Sequence, residues 1–149
     1  MPRPTKCRRI DFYPESTEFA PVGKGNCSEE KICLKIEELE AMRLKDIEEL
    51  SQEECAERMR VSRQTFQNII ESARKKVTSA LIEGKELQIK GGNYTFKECK
   101  LKCLKCGTTY DINFEHDKNI CPNCGSKEVV CSNKNKNCKK WCKDCGVLE

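Results

Sequence analysis

The sequence predicts an α+β fold in two parts, a small helical domain followed by a cysteine-rich β module. Between residues 36 and 81, apolar side chains recur with the period of about 3.6 residues that is typical of helices. Nine of the thirteen cysteines follow Glu98. Because residues 91–149 contain few aliphatic side chains, this segment needs a metal or disulfides to stabilise it.

The first segment, residues 1–34, is predicted to be an extended arm, since it holds four of the five prolines. Its first ten residues contain no acid and four basic side chains: Arg3, Lys6, Arg8 and Arg9. Arms of this kind can enter the minor groove of DNA, where arginine senses groove width and negative potential. The alternative is an arm that is disordered or packs on its own domain, held there by Phe12, Tyr13 and Phe19.

A first helix is predicted over about residues 36–48, although no good capping residue marks its start. Its apolar side chains, which would close a three-helix core, are Leu39, Ala41, Met42 and Leu44. A second helix is predicted to begin after Ser51, because Ser51 and Glu54 have the spacing of a capping box. Its buried side chains are expected to be Cys55, Ala56 and Met59.

The turn after the second helix is assigned to Arg60 and Val61, with Ser62 as the cap of a third helix. In helix-turn-helix motifs this turn usually contains glycine at the position of Arg60, because φ there tends to be positive. A non-glycine residue in that conformation costs about 1 kcal/mol. The turn is therefore expected to be strained or slightly altered.

The third helix is the most strongly predicted element, because its two faces differ along four turns. One face is apolar: Phe66, Ile69, Ile70, Ala73, Val77, Ala80 and Leu81. The other is polar: Arg63, Gln64, Gln67, Asn68, Glu71, Arg74 and Lys75. Arginine, glutamine and asparagine can pair with base edges in the major groove, which favours DNA binding. Two alternatives remain, a helical hairpin with a solvated face and a motif that binds protein.

Charge is distributed unevenly along the chain, whose net charge is +4. Residues 28–60 carry six basic and eleven acidic side chains, a net charge of −5. Residues 61–90 carry six basic and three acidic side chains, a net charge of +3. A polyanion is therefore expected to approach the third helix and the arm and to avoid the first two helices.

The segment LEAMRLKDIEELSQEECAERMRVSRQTFQNIIESARKK resembles the region-four helix-turn-helix of sigma factors. With the opening MPRPTKCRRI and the run ALIEGKELQIKGG, residues 1–92 resemble a prokaryotic family of predicted DNA-binding proteins of unknown function. The resemblance implies that residues after the turn dock in the major groove. These are Ser62, Arg63, Gln64, Thr65, Gln67 and Asn68. Phosphate contacts are expected from Arg74 and Lys75, and arm contacts from Arg3, Arg8 and Arg9.

Two Cys-x-x-Cys-Gly knuckles, which are separated by fourteen residues, have the spacing of a zinc ribbon: Cys103, Cys106, Cys121 and Cys124. Each knuckle directs two thiolates to one tetrahedral ion, and four thiolates leave no open position for catalysis. A structural Zn²⁺ is therefore predicted. TTYDINF, between the knuckles, is predicted to be a strand, and residues 86–97 a hairpin that turns at Gly91 and Gly92.

A second four-cysteine site is predicted after the ribbon, from Cys131, Cys138, Cys142 and Cys145. It would take a second Zn²⁺ or an Fe–S cluster, and the latter would make the protein a redox sensor. Cys33 and Cys55 are expected to be small buried hydrophobes. Cys7, Cys27 and Cys99 have no assigned role, and His116 is expected to be solvated.

The chain is thus divided into an arm at 1–34, a helix-turn-helix domain at 35–85 and a metal-binding module at 86–149, with a ribbon at 99–125 and a second cluster at 131–145. No run of about 20 apolar residues and no secretory signal is present, so a cytoplasmic protein is expected. No acid–base or nucleophilic constellation indicates an enzyme.

The function expected from these features is sequence-specific binding of double-stranded DNA by a transcriptional regulator, as a homodimer. One alternative is a metal-sensing or redox-sensing regulator that uses the second cysteine cluster. Another is an adaptor that docks on the transcription machinery through the ribbon and Trp141.

Overall fold

The computed structural model describes residues 5–23, 30–96 and 99–132 of the chain, apart from the side chain of Glu115. Over these residues the protein is mixed α+β, with three α-helices and several small sheets. The chain divides into two compact units. We call them the helical unit, Arg8–Tyr94, and the cysteine unit, which combines Met1–Cys7 with Thr95–Glu149.

The helices of the helical unit are α1 (Ile36–Met42), α2 (Gln52–Met59) and α3 (Arg63–Glu83). A π-helical segment, Arg43–Ile47, continues α1, so the helix predicted over about 36–48 has the expected extent but widens in its last turn. The start of α1 lacks a conventional cap. The carboxylate of Glu38 replaces it by accepting the backbone N–H of Lys35 at 2.9 Å.

Both predicted caps around α2 and α3 are confirmed. The hydroxyl of Ser51 accepts the N–H of Glu54 at 3.2 Å, and the Glu54 carboxylate accepts the N–H of Ser51 at 2.9 Å. The hydroxyl of Ser62 accepts the N–H of Thr65 at 3.1 Å. Arg60 lies in the left-handed region, with φ 55° and ψ 43°, as the turn position predicted. With this strained conformation at Arg60, the turn between α2 and α3 is only three residues long.

The core of the helical unit forms where the three helices meet. Its buried residues are Ala41, Leu44, Cys55, Ala56, Met59, Phe66, Ile69 and Ile70. These include the predicted stripe of α2 and the first half of the stripe of α3. The stripe weakens toward the end of α3, since Val77 is half-buried and Leu81 is 79% exposed. Leu81 thus continues the predicted apolar stripe but does not join the core.

A three-stranded sheet accompanies the helices, in the order β2 (Glu18–Phe19), β4 (Glu86–Ile89) and β3 (Lys31–Leu34). β4 runs antiparallel to β2 and parallel to β3. The hairpin predicted for residues 86–97 is therefore wrong, since the partners of β4 come from the first 34 residues. The remaining short strands near the ends of this unit are β1 (Arg8–Ile10) and β5 (Tyr94–Phe96), of which β5 continues into the cysteine unit.

Gly91 and Gly92, the glycine pair that suggested the hairpin turn, both have positive φ. They instead lead the chain past the start of α1. The N–H of Ile36 donates to the Gly91 carbonyl at 3.1 Å. A Cβ at Gly92 would lie 3.3 Å from the Cβ of Lys35, so a larger residue there would crowd the helix start.

The segment predicted to be an arm contributes three short strands to the described part of the chain. Ile10 is fully buried, and the N–H of Arg8 donates to the Asn93 carbonyl at 2.8 Å. The ring of Phe12 lies 5.6 Å from the guanidinium carbon of Arg43. These contacts agree with the alternative in which this segment packs on its own domain. Cys33, expected to be buried, is exposed on β3.

Three glutamates of α1 are buried, and each has a polar partner. Glu38 accepts from Lys76 Nζ at 2.9 Å and from the Ser72 hydroxyl at 2.7 Å, which ties α1 to α3. Burial raises the pKa of Glu38, but these donors outweigh it, so the pKa is lowered overall. Glu40 pairs in a bidentate manner with Arg43, at 2.7 and 3.0 Å.

The cysteine unit contains an antiparallel sheet in the order β7 (Thr109–Asp111), β6 (Lys100–Cys103) and β8 (Val129–Cys131). β7 confirms the strand predicted between the knuckles. A 3₁₀ turn, Glu115–Lys118, follows β7. The buried carboxylate of Asp117 accepts the N–H groups of Asn113 and Phe114, both at 3.0 Å, and so holds the start of this turn.

Candidate nucleic-acid interface and candidate metal centre

The polar face of α3 is accessible over its first four turns. Its exposed side chains are Arg63, Gln64, Asn68, Glu71, Arg74 and Lys75. Thr65 and Gln67 are half-buried at the edge of this face. The opposite side of the same turns carries Phe66, Ile69 and Ile70 in the core. The helix therefore displays planar amide and guanidinium groups on a surface that the packing of the unit leaves open.

Most of these side chains have partners on the helical unit. Gln64 donates to the side-chain oxygen of Asn68 at 3.1 Å. Arg63 lies 3.4 Å from the Glu53 carboxylate, and both side chains are about two-thirds exposed. Arg74 contacts Asp46 at 2.6 Å. Because these pairs lie at the surface, water and salt screen them, and another anion can replace the carboxylate at low cost.

Gln67 is held more firmly than its neighbours, because its amide is bonded on both sides. Its oxygen accepts from the side-chain amide of Gln52, the first residue of α2, and its nitrogen donates to the Glu71 carboxylate. One amide N–H of Gln67 is not used by these two bonds. Gln52 is absent from the set of contact residues predicted from the sequence, and only the packing of α2 on α3 identifies it.

The start of α3 uses two of the predicted contact residues as a cap. The hydroxyl of Ser62 donates to the Thr65 hydroxyl at 2.8 Å, in addition to accepting the Thr65 N–H. This arrangement fixes the first turn of α3.

The predicted arm contacts are placed differently from those on α3. Arg3 lies outside the described residues. The side chain of Arg8 is 17% exposed, and its Nε lies 3.9 Å from the buried carboxylate of Glu37. Burial raises the pKa of Glu37, and the charge of Arg8 partly offsets that effect. Arg9 is half-buried on β1. Of the described arm residues predicted to contact DNA, Arg8 thus serves an internal contact.

The cysteine unit brings the four knuckle cysteines together. All four sulfur atoms lie within 4.8 Å of one another: Cys103, Cys106, Cys121 and Cys124. The sulfur atoms of Cys103 and Cys124 are 3.6 Å apart, and those of Cys106 and Cys121 are 3.8 Å apart. A tetrahedral ion with metal–sulfur bonds of about 2.3 Å needs edges of about 3.8 Å. The four thiols therefore fit one metal ion.

Backbone turns shape each knuckle in the same way. The N–H of Gly107 donates to the Cys103 carbonyl and the N–H of Gly125 to the Cys121 carbonyl, both at 2.9 Å. Both glycines have φ near 75°, a conformation that favours glycine after each cysteine pair. In the first knuckle the N–H of Cys106 approaches Cys103 Sγ at 3.5 Å.

The ionisation of these thiols differs across the group. Hydrogen bonds from the Thr108 side chain and backbone lower the pKa of Cys106 to about 6. For Cys124, the N–H of Ser126 lowers the pKa, but burial and the three neighbouring sulfurs outweigh it and raise the pKa to about 12. Four sulfurs this close cannot all ionise without a cation among them. The chemistry of the donor set thus suits a positively charged ion.

The second predicted metal site cannot be compared in full, since Cys138, Cys142 and Cys145 lie outside the described residues, as does Trp141. Cys131, its first member, is half-buried on β8 and is paired in register with Leu101 of β6. His116 is exposed, as predicted, and its ring stacks on Phe114.

The described residues define a mixed α+β protein that combines a three-helix unit with a four-cysteine group able to hold one metal ion. The family described as "Protein of unknown function DUF134" matches residues 1–97, so the chain belongs to this family. No solved structure matches the chain. Among the described residues, no helix is both long and apolar enough to span a membrane.

Two relatives illustrate the similarity. A UPF0251 protein of Clostridium botulinum (strain Loch Maree / Type A3) is 62% identical over 143 residues, which cover 96% of this chain and 91% of the relative. A UPF0251 protein of Clostridium beijerinckii is 63% identical over 143 residues, which cover 96% of this chain and 97% of the relative. The similarity therefore extends beyond the helical unit into the cysteine-rich segment.

Proposed function

We propose that the protein binds double-stranded DNA in a sequence-specific manner and regulates transcription. In this proposal α2 and α3 form a helix-turn-helix of the sigma region-four type, and α3 enters the major groove. The observation that carries the proposal is the exposed polar face of α3, whose opposite face is anchored in the core. A helix fits the major groove, where each base pair presents a distinct pattern of donors and acceptors.

The side chains on that face divide into two roles. Gln64, Gln67 and Asn68 carry amides that pair with base edges, and Arg63 carries a guanidinium that pairs with guanine. Arg74 and Lys75, about two to three turns farther along α3, are suited to phosphate contacts. The ion pairs that Arg63 and Arg74 make at the surface exchange for phosphate at low cost, because exposed pairs contribute only about 0–1 kcal/mol.

We further propose that the four-cysteine group binds Zn²⁺ as a zinc ribbon. The sulfur separations suit a single ion with bonds of about 2.3 Å, whereas ligands of a multi-iron cluster must surround a larger core. Four thiolates close the coordination sphere, so the ion has a structural role. It would stabilise a unit whose core is small, with Cys103, Cys121 and Val129 as its buried cluster.

In vitro selection of bound duplexes from a random pool tests the DNA-binding proposal. The expected result is enrichment of a defined site by the zinc-loaded full chain. Replacement of Gln64 or Gln67 by alanine should then change base preference, with about 1–3 kcal/mol lost for each bidentate contact. Replacement of Arg74 or Lys75 should weaken binding to all duplexes alike and lower the salt slope by about one.

A matched control is Lys102→Ala, which removes an exposed lysine from β6, in the other unit. It should leave both base preference and the salt slope of the α3 contacts unchanged. If binding to selected duplexes is indifferent to the combined replacement of Arg63, Gln64 and Gln67, α3 is not the reading helix and the proposal fails.

A further inference from the structure

An apolar groove lies at the C-terminal end of α3, away from the residues proposed to read DNA. Its volume is about 350 Å³. The lining residues from the last two turns of α3 are Val77, Ala80 and Leu81, and those from β2 and β4 include Phe19 and Leu87. The groove lies within the helical unit.

Exposed apolar side chains line this groove or lie next to its lining residues in the sequence. Leu81 is 79% exposed, Ile82 is 80% exposed and Phe19 is 53% exposed. Val22, one residue past the lining residue Pro21, is fully exposed. Because 35% of the residues are charged, the chain has enough polar side chains to form its surface without exposing these four apolar ones. An apolar patch of this kind indicates an interaction surface.

The charge at the groove is already balanced within the chain. Lys85 is the one charged residue among those that line it. Its Nζ lies 2.8 Å from the Glu30 carboxylate and also contacts Glu83. These partners raise the pKa of Lys85, with Glu30 the larger cause, so the amine stays charged and paired. Among the described residues that line the groove, no unpaired charge is left to repel the same surface of a second copy.

We propose that this groove is the contact with a second copy of the same chain. A two-fold contact requires a self-complementary surface, because each copy presents the same patch to the other. The groove meets this requirement, since it is an apolar hollow whose own lining residues Leu81 and Phe19 are exposed. In the dimer, the exposed side chains of each copy occupy the groove of the other.

The position of the contact also suits DNA binding, a step that rests on the function proposed above. A helix rises about 1.5 Å per residue, so Gln67 and Leu81 lie about 21 Å apart along α3. Two such helices joined at Leu81 place their reading residues up to about 42 Å apart when collinear. Half-sites one turn of DNA apart need about 34 Å, which an inclined pair of helices provides.

Sedimentation equilibrium of the zinc-loaded full chain tests the proposal between about 1 and 100 μM. The wild type should be a dimer at the upper concentration. Leu81→Glu should weaken dimerisation about 100-fold or more, because each dimer loses two apolar contacts and gains two carboxylates. Ile82→Glu should act in the same direction. Circular dichroism and zinc content verify that the variants are folded, as expected for exposed positions.

Ile47→Glu is the matched control, since Ile47 is 78% exposed and lies in the π-helical segment, outside the groove. It should leave the dimer intact. A wild-type chain that remains a monomer at about 100 μM overturns the proposal, and so does a dimer that survives Leu81→Glu. If the monomeric wild type binds an apolar dye that Leu81→Glu excludes, the groove instead accepts a small apolar molecule, which also overturns it.

The dimer and the DNA-binding function fail in different ways. If the wild type dimerises through this groove but enriches no duplex in selection, only the DNA-binding proposal is lost. If the wild type enriches a single half-site and stays monomeric, only the dimer proposal is lost. When both hold, wild type should select an inverted repeat, and Leu81→Glu should select one half of it.

Discussion

Gln52 provides the sharpest test of how α3 would read DNA, because it contacts the helix proposed to read DNA without belonging to it. Its side-chain amide donates to Gln67, whose nitrogen donates to Glu71. In this arrangement the oxygen of Gln67 is engaged and one amide N–H is available. Gln67 should therefore act as a donor and prefer an acceptor in the major groove, such as guanine O6 or thymine O4.

The magnitude follows from the two bonds that hold Gln67. Ordering a glutamine side chain costs up to about 1.5–2 kcal/mol in rotamer entropy. In the wild type, the two hydrogen bonds already order the Gln67 side chain, so this entropy is lost on folding and not on DNA binding. Gln52→Ala removes one of the two hydrogen bonds. About half of the entropy cost, roughly 1 kcal/mol, must then be met when DNA binds. That amounts to about a fivefold loss of discrimination at the base pair that Gln67 contacts.

Gln52→Glu distinguishes positioning from a merely structural role. A glutamate has the same length but cannot donate when ionised, so it would accept from the Gln67 nitrogen. The Gln67 oxygen would then be available, and the preference at that base pair should shift toward a donor, such as cytosine N4 or adenine N6. Glu57→Ala is the matched control, because it removes an exposed carboxylate from the same helix, α2, and should leave the preference at that base pair unchanged.

The assay is competition binding with the selected duplex and its three single-base replacements at each position. Urea unfolding of each variant reports stability separately. The reasoning is refuted if Gln52→Ala lowers affinity for all duplexes by one factor, since that result describes a phosphate contact or a loss of fold. It is also refuted if Gln52→Glu leaves the preference unchanged while Gln67→Ala alters it.

Two further predictions concern the metal and the buried carboxylate. Cys121→Ser should abolish the zinc content expected at the knuckles and lower the melting temperature, whereas the exposed Cys33→Ser should change neither; elemental analysis and thermal unfolding measure both. Because the pKa of Glu38 is lowered by folding, its ionised form stabilises the protein above the unfolded pKa of about 4.3, and that stability is lost as pH falls through the folded pKa. Glu38→Gln should therefore lose urea stability at pH 7 and approach wild type below pH of about 4; a deficit that is constant with pH would contradict this origin.

Local signals explain which parts of the fold were predictable. The capping pairs at Ser51 and Ser62 join residues three positions apart, so their meaning does not depend on distant partners. The stripe of Phe66, Ile69 and Ile70 follows from helical period alone. The cysteine knuckles are equally local, since a four-residue turn places both thiols of a pair on the same side.

Contacts between distant residues explain the errors. β4 pairs with β3, which lies 55 residues earlier in register, and a glycine pair beside β4 suggested a closer partner. Glu38 is charged and yet buried, because Lys76 lies 38 residues later in the chain and turns toward it. Leu81 continues an apolar stripe but lies beyond the elements that cover it.

The amino-acid order by itself determined where the helices begin, which face of α3 is polar and which four cysteines can share an ion, because each depends on residues within a turn or on a repeated spacing. Tertiary structure alone decided which strands pair, that Gln52 holds Gln67, that Arg8 turns inward to Glu37 and that the end of α3 is left uncovered. Those outcomes depend on contacts between residues that are far apart in the chain, and the free energy of each contact depends on both partners.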